Sequence, residues 1–248
     1  MSTFIFDFDG TLANTLEALF EIANGLSDEF GFAPLDDIEF LRLRGLSSRE
    51  ILQEGHISIW KLPRLVRRIK REQQAIMANV QMVVGMKEVL LALSERGDRL
   101  GIATSNSSEN IQLFLQNNGL NGRFDFTVAG ISLFGKARAL RKIVRQQQLN
   151  PAETIYVGDE VRDVVAAQEV GIHSLGVGWG FNTVAALEDA DAEFVVERPQ
   201  DILRLALSSE IKAAPSALPL EESGRGRDRA DLFRSAVPFP SHALSLPK

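Results

Sequence analysis

Phe4-Ile5-Phe6-Asp7-Phe8-Asp9-Gly10-Thr11 is an apolar run that stops abruptly on two carboxylates. Such a run reads as a buried strand carrying acids to its own end. In an α/β sheet that end is the carboxyl edge, where ligands of such sheets bind. Residues two apart on a strand share a face, so Asp7 and Asp9 are expected to address one small site. Two like charges so placed need a cation or a proton. The alternative is a strand closing in an Asx turn, since Asp and Gly also mark turns.

The rest of the composition narrows what such a site can be. With 248 residues, 45% of them hydrophobic, the chain suffices for one large domain or a domain with an insert. Without cysteine it has no disulfide, thiolate metal site or cysteine nucleophile. Three scattered histidines, His56, His173 and His242, do not make a histidine-rich metal centre, so any metal must sit on oxygen. A net charge of -6 argues against general affinity for nucleic acid. No stretch approaches the roughly 18 apolar residues of a membrane span, and the first strand is not preceded by a basic, then apolar, leader. A cytoplasmic protein with no membrane partner is expected.

Periodicity gives the order of elements. Leu16, Leu19, Phe20, Ala23, Leu26 and Phe30 recur at helical spacing up to Gly31. Asp36 and Asp37 can cap a helix through Phe40 and Leu43, Ser47 or Ser48 a short one with Ile51 and Leu52, and residues 62–80 form a long one. No strand pattern occurs between Ala13 and about Gln81, so this block reads as a helical insert. From Gly85 onward strands and helices alternate, predicting a parallel sheet covered on both faces. The strands fall at 99–104, 124–128, 154–157, 173–177 and 193–196. Beyond Ser209 periodicity is lost and five of the nine prolines occur, so 209–248 is expected to be a disordered tail.

Three polar clusters join Asp7 and Asp9 at strand ends or helix starts. Thr104-Ser105-Asn106 can bind a phosphate through a hydroxyl and free amides at a helix N-terminus, or simply cap that helix. Lys136 opens a helix, the unfavourable end for a cation, so either an anion lies nearby or the lysine is solvated. Gly158-Asp159-Glu160-Val161-Arg162-Asp163 puts two acids four apart at a helix start. That spacing suits an oxygen-only Mg²⁺ site, or acids complementing the helix dipole. Gly176-Val177-Gly178-Trp179-Gly180 lacks dinucleotide-binding spacing and reads as a loop at the sheet edge.

In this order the motifs Asp-x-Asp-Gly-Thr, strand-end Thr, Lys and Gly-Asp-x-x-x-Asp resemble those of the haloacid dehalogenase superfamily of phosphotransferases. The resemblance covers residues 1 to about 208, and the helical insert is similar to that superfamily's small α-helical cap. Within it, the chain is most similar to phosphoglycolate phosphatase-like hydrolases. The resemblance implies a Rossmann-like parallel sheet flanked by helices, with a core of residues 1–13 and 82–208 and a cap of residues 14–81. It implies hydrolysis of a small phosphate monoester through an aspartyl-phosphate, with Asp7 as nucleophile and Asp9 as acid and base. Thr104 and the Ser105 amide would hold phosphate oxygens, and Lys136 would neutralise charge. Mg²⁺ would sit among Asp7, Asp9 and Asp159, with Asp163 acting through a metal-bound water or by orienting the site. Arg42, Arg44 and Arg49 flank Gly45 where such caps carry a specificity loop. Arg44 is the residue expected to fork a substrate carboxylate; a solvated helix face is the alternative.

Two departures bear on the substrate: Asn14 stands where phosphoglycolate phosphatases usually have Asp, and Lys136-Ala137 replaces their Lys-Pro. Sugar-phosphate and pyrophosphate phosphatases and hexose-phosphate mutases would keep the same residues. A dehalogenase has no use for Asp9 or Asp159, and a phosphonate-cleaving relative would usually lack Asp9. A non-catalytic binding protein on this fold is the alternative of another class. The expected partner is a small phosphorylated metabolite and the expected state a monomer or homodimer.

Overall fold

A computed structural model describes residues 1–208 except 49, 52–59 and 133, so the expectations for the tail and for Arg49 lie outside the described residues. Strand β1 (Thr3–Phe6) is followed by helices α1 (Leu16–Gly25), α2 (Ser27–Phe30), α3 (Asp37–Leu43) and α4 (Leu62–Ile76). No strand intervenes among the described residues. Alternation then begins, with α5 (Met86–Glu95), β2 (Arg99–Ala103), α6 (Ser108–Asn117), β3 (Phe126–Val128) and α7 (Lys136–Gln146). It continues with β4 (Thr154–Gly158), α8 (Val161–Val170), β5 (His173–Val177), α9 (Val184–Asp189), β6 (Phe194–Val196) and α10 (Pro199–Leu207).

The strands form one parallel sheet in the order β3-β2-β1-β4-β5-β6. The chain works outward from β1 to β3, then returns to β4 on the other side of β1 and works outward again. Connections therefore diverge between β1 and β4, which opens a crevice beyond their carboxyl ends. Asp7 follows β1 and Asp159 follows β4, and the register Phe6 to Val157 brings those ends together.

Both faces of the sheet are covered, so its strands are mainly apolar rather than alternating, with polar residues such as Arg99, Thr154 and His173 at their starts. Phe4, Phe6 and Phe8 pack on one face with Met86, Val89 and Leu93 of α5, while Ile5 and Tyr156 pack on the other with Leu140 and Ile143 of α7 and Val170 of α8. Each fully buried phenylalanine contributes roughly 1.5–3 kcal/mol. The edge-on contact of Phe8 with Phe114, at 4.9 Å and 84°, adds about 0.5–1.5 kcal/mol. Asp7 lies two residues after Ile5, hence toward the face covered by α7 and α8.

The helical block between β1 and α5 has its own small core of Leu26, Phe30 and Leu65, packed with Ile22, Phe32 and Ile69. The helix expected to run from Leu16 to Phe30 is broken at Leu26. Asn24 is tied to Leu35 through both its amide nitrogen and its carbonyl oxygen, and the Ser27 hydroxyl donates back to the Asn24 carbonyl at 2.8 Å. Those side-chain bonds compete with the helical ladder. Gly31, at φ 76°, ends α2 in the left-handed conformation. Other boundaries fall close to expectation, and the cap bonds of Asp36 to the Glu39 amide and of Ser107 to the Asn110 amide are formed. The long helix from Leu62 stops at Ile76 and tightens into a 3₁₀ turn over Met77–Asn79.

Candidate active site

Asp7 leaves β1 at the crevice with its amide bonded to the Val157 carbonyl at 2.8 Å, which fixes it against β4. Its Oδ1 accepts from the Phe8 amide at 2.8 Å, and its Oδ2 meets the Lys136 ammonium at 2.5 Å. Lys136 also bonds Asp163, and it is only 4% exposed. The partner predicted from its position at a helix start is therefore a pair of carboxylates. Tyr156 lies beneath the ammonium, its ring centroid 5.3 Å from Nζ and its hydroxyl donated to the Ala103 carbonyl at 2.9 Å. That support was not anticipated from the sequence, where Tyr156 reads as one more apolar strand residue.

Asp159 is 1% exposed. It accepts from the Thr11 hydroxyl at 2.8 Å and from the Phe181 amide at 2.8 Å. Its relation to Asp163 is not the helical one the four-residue spacing suggests. Asp159 stands in the link before α8, whereas Asp163 is the third residue of α8, where its Oδ2 accepts from the Glu160 amide at 3.2 Å to close a capping box. The two meet because the capping bond turns the Asp163 carboxylate back toward the helix start, beside Asp159.

Asp7, Asp159 and Asp163 each offer one oxygen within 4.8 Å of the others. Lys136 bonds two of these three buried carboxylates, and the neighbouring Arg162 is taken up by Glu160, so negative charge is left over. Burial is the main cause that pushes Asp163 up to about 7; Lys136 opposes the rise, and Asp7 and Glu160 add to it. Burial, reinforced by Glu160, Asp163 and Asp7, holds Asp159 well above the ordinary carboxylate range. For Lys136 burial acts downward, but Asp163 and Asp7 carry it well above the ordinary lysine value. An all-oxygen, charge-deficient, buried cluster of this kind fits a hard divalent cation.

The sign of these shifts gives an expected result. Asp163 favours folding while protonated, and that contribution is lost as pH rises from about 4 through about 7; the raised Asp159 acts in the same direction. A divalent cation relieves the ionised cluster and has little to relieve once it is protonated. Addition of Mg²⁺ to chelated protein should therefore raise Tm more at pH 7.5 than at pH 5. Equal rises at both would show that the cluster is not the seat of the effect.

Asp9 departs from expectation. β1 ends at Phe6, and the chain turns at once, with the Leu12 and Ala13 amides both bonded to the Phe8 carbonyl and Gly10 at φ 73°. The two-residue strand period therefore does not extend to Asp9, and its carboxylate lies outside the three-acid cluster. It instead accepts from Asn106 Nδ2 at 2.9 Å and from Gln73 Nε2 of α4 at 3.1 Å. Burial, with the charge on Asp7 adding and the Asn106 bond opposing, pushes it up to about 6. Asn106 belonged to a cluster already visible in the sequence. Gln73 had no local signal beyond being a buried amide in a helix otherwise rich in charge.

Thr104 is 1% exposed at the end of β2, its hydroxyl oxygen accepting from the Asn106 amide at 3.1 Å. Ser105 follows it, partly buried. Arg44 forks two backbone carbonyls: Nε donates to that of Phe181 at 2.9 Å and Nη2 to that of Gly180 at 3.0 Å. Arg42 pairs with Glu39 on the outside of α3. The glycine-rich segment after β5, read from sequence as an edge loop, lies against the acids. A Cβ on Gly180 would stand 2.1 Å from that of Asp159. Trp179 Nε1 donates to the Thr11 carbonyl at 3.2 Å, and Asn182 bonds the Arg44 and Leu46 carbonyls at 2.8 and 2.9 Å.

The family model for haloacid dehalogenase-like hydrolases matches residues 4–177. The chain belongs to this family. The match takes in all four motifs and the helical block between the first and second. A phosphoglycolate phosphatase from Synechococcus elongatus (strain ATCC 33912 / PCC 7942 / FACHB-805) is 39% identical over 204 residues, 82% of this chain and 96% of that protein. The chain is thus a homologue of phosphoglycolate phosphatases. The pyrophosphatase PpaX of Bacillus pumilus (strain SAFR-032) is 23% identical over 209 residues, 83% of this chain and 96% of its own length. A solved structure described as a predicted phosphatase from Clostridium acetobutylicum superposes with a TM-score of 0.71 at 21% identity, covering 84% of this chain and 99% of that one. Its likeness bears on the fold alone. Among the described residues no helix is long and apolar enough to cross a membrane.

Proposed function

We propose that the protein is a Mg²⁺-dependent phosphatase that hydrolyses a small phosphate monoester, phosphoglycolate above others. The observation that carries this reading is the buried Lys136 ammonium between Asp7 and Asp163, with Asp159 completing an acid cluster one cation short of neutrality. Membership of the haloacid dehalogenase-like hydrolases and the 39% identity to a phosphoglycolate phosphatase support the reaction and the substrate class. Asp7, Asp159 and Asp163 would hold Mg²⁺, which when bound supplies positive charge to the phosphoryl oxygens.

In this reading Asp7 attacks phosphorus, the bond from phosphorus to the ester oxygen breaks, and a proton from Asp9 goes to that oxygen. Asp9 then takes a proton from water as the water attacks the aspartyl-phosphate, releasing phosphate and restoring Asp7. A carboxyl at about 6 can give and take a proton near neutrality. Its bonds from Asn106 and Gln73 orient it. Lys136 keeps one Asp7 oxygen and the incoming phosphoryl charge in check, while Thr104 and the Ser105 amide bind phosphoryl oxygens. Residues 14–81 act as a cap over a core of 1–13 and 82–208, excluding water and bringing Gln73 and the Arg44 loop to the site. The setting is a cytoplasmic enzyme, monomer or homodimer, that takes a small phosphorylated metabolite and no nucleic acid.

Ranking phosphoglycolate, sugar phosphates, nucleotides and pyrophosphate by kcat/KM with Mg²⁺ tests the substrate. Phosphoglycolate should lead by at least about tenfold, or 1.4 kcal/mol in transition-state binding. Pyrophosphate in first place would shift the assignment toward the activity named for the Bacillus pumilus relative.

A further inference from the structure

We infer that Arg44 and Asn182 are positioning residues that set the Asp159 carboxylate for its cation according to how the loop Arg44–Leu46 is seated. The inference rests on the reading of the acid cluster as a Mg²⁺ site and adds to it a part for residues remote from the ion. A single peptide unit makes the connection. The carbonyl of Gly180 accepts from Arg44 Nη2 at 3.0 Å, and the N–H of the same peptide, that of Phe181, donates to Asp159 Oδ2 at 2.8 Å.

A trans peptide is planar, with its carbonyl and N–H pointing opposite ways, so rotating the unit breaks both bonds together. A carbonyl that accepts from a cation also polarises its own N–H, which strengthens the bond to the carboxylate. Arg44 holds the next carbonyl as well, that of Phe181, at 2.9 Å, so its planar fork fixes two successive units. Gly180 leaves no room for adjustment on the other side, since even a Cβ there would stand 2.1 Å from that of Asp159.

Asn182 closes the loop from beneath and is 1% exposed. Nδ2 donates to the Arg44 and Leu46 carbonyls at 2.8 and 2.9 Å, Oδ1 accepts from the Val161 amide at 2.9 Å, and its own amide donates to the Asp159 carbonyl at 3.0 Å. The Thr183 amide donates to the Arg44 carbonyl at 3.0 Å. One buried amide thus ties the Arg44 loop, the start of α8 that carries Asp163, and the backbone of Asp159. Because linkage is reciprocal, seating the loop tightens cation binding and a bound cation seats the loop.

Isothermal titration of Mg²⁺ into the full chain at pH 7.5 tests this, with wild type, Arg44→Met, Asn182→Ala and Arg64→Met compared. Arg64 pairs with Glu29 well away from the site and serves as the control. Loss of an outer partner of a ligand typically weakens metal binding 10- to 100-fold, so Arg44→Met and Asn182→Ala should raise Kd by about tenfold and Arg64→Met should not. Should Asn182→Ala fail to fold by circular dichroism, Arg44→Met alone decides. An unchanged Kd in a folded Arg44→Met overturns the inference while leaving the metal site standing. Absence of binding by wild type overturns both.

Kinetics separate this role from a direct grip on substrate. If Arg44 acts through Asp159, Arg44→Met should slow p-nitrophenyl phosphate and phosphoglycolate alike at low Mg²⁺ and recover at high Mg²⁺. A defect confined to the carboxylate-bearing ester and indifferent to Mg²⁺ would instead assign Arg44 to the substrate.

Discussion

Asp7→Asn should lower kcat by about a thousandfold or more while leaving the fold intact. The amide has the shape of the carboxylate but is a far poorer nucleophile, so the covalent step has no attacking group. Neighbouring structure gives no reason for unfolding. Asp7 contributes to an excess of buried negative charge, and Lys136 keeps Asp163 as a partner when the Asp7 charge is removed. The measurement is steady-state kcat on p-nitrophenyl phosphate with Tm on the same preparation. Mass spectrometry must exclude deamidation back to Asp. Retention of more than roughly a thousandth of wild-type kcat in a verified variant would falsify the aspartyl-phosphate route.

Asp159→Ala should be nearly as damaging, for a different reason. It removes a carboxylate of the cluster that accepts from the Thr11 hydroxyl and the Phe181 amide, which among the described residues serve no other acid. We expect kcat/KM to fall by about a thousandfold and the response of Tm to Mg²⁺ to vanish. Stability without metal should behave in the opposite sense. An acid whose folded pKa is raised costs stability as pH climbs above its unfolded value, so chelated Asp159→Ala should unfold no earlier than chelated wild type at pH 7.5. Asp163→Ala should lose less activity but more stability, since Asp163 also caps α8 and pairs with Lys136, and a lost cap costs about 1 kcal/mol. Equal activity with and without chelator would end the metal reading.

The strands and helices were legible because each satisfies a local rule. β1 is a continuous apolar run, α6 begins one residue after a serine cap, and Gly171 stops α8 in the left-handed conformation. Four of the acid and base groups were legible for the same reason, being fixed to strand ends or helix starts whose positions follow from periodicity. Lys136 at an unfavourable helix end even announced its carboxylate partners.

What escaped notice depends on contacts between distant stretches. Gln73 reaches Asp9 across 64 residues and Arg44 reaches Gly180 across 136. No pattern within either stretch encodes such pairings. Asp9 is set by a turn rather than by the strand period, because Phe8 already accepts from the Leu12 and Ala13 amides. The segment Gly178–Gly180 lacks a nucleotide-binding spacing, and Gly180 answers to the bulk of Asp159 rather than to a phosphate.

Trp179 has an optical consequence. The chain contains two tryptophans, and Trp60 is 89% exposed, whereas Trp179 is partly buried with its indole N–H held by the Thr11 carbonyl next to Asp159. A collisional quencher such as acrylamide should extinguish the red-shifted emission of Trp60 first and leave a blue-shifted remainder from Trp179. That remainder belongs to an indole one residue from Gly180, so its intensity and wavelength report on the segment that grips Asp159. Filling of the site can then be followed by emission in the unlabelled protein, on the millisecond scale of a mixing experiment and without turnover.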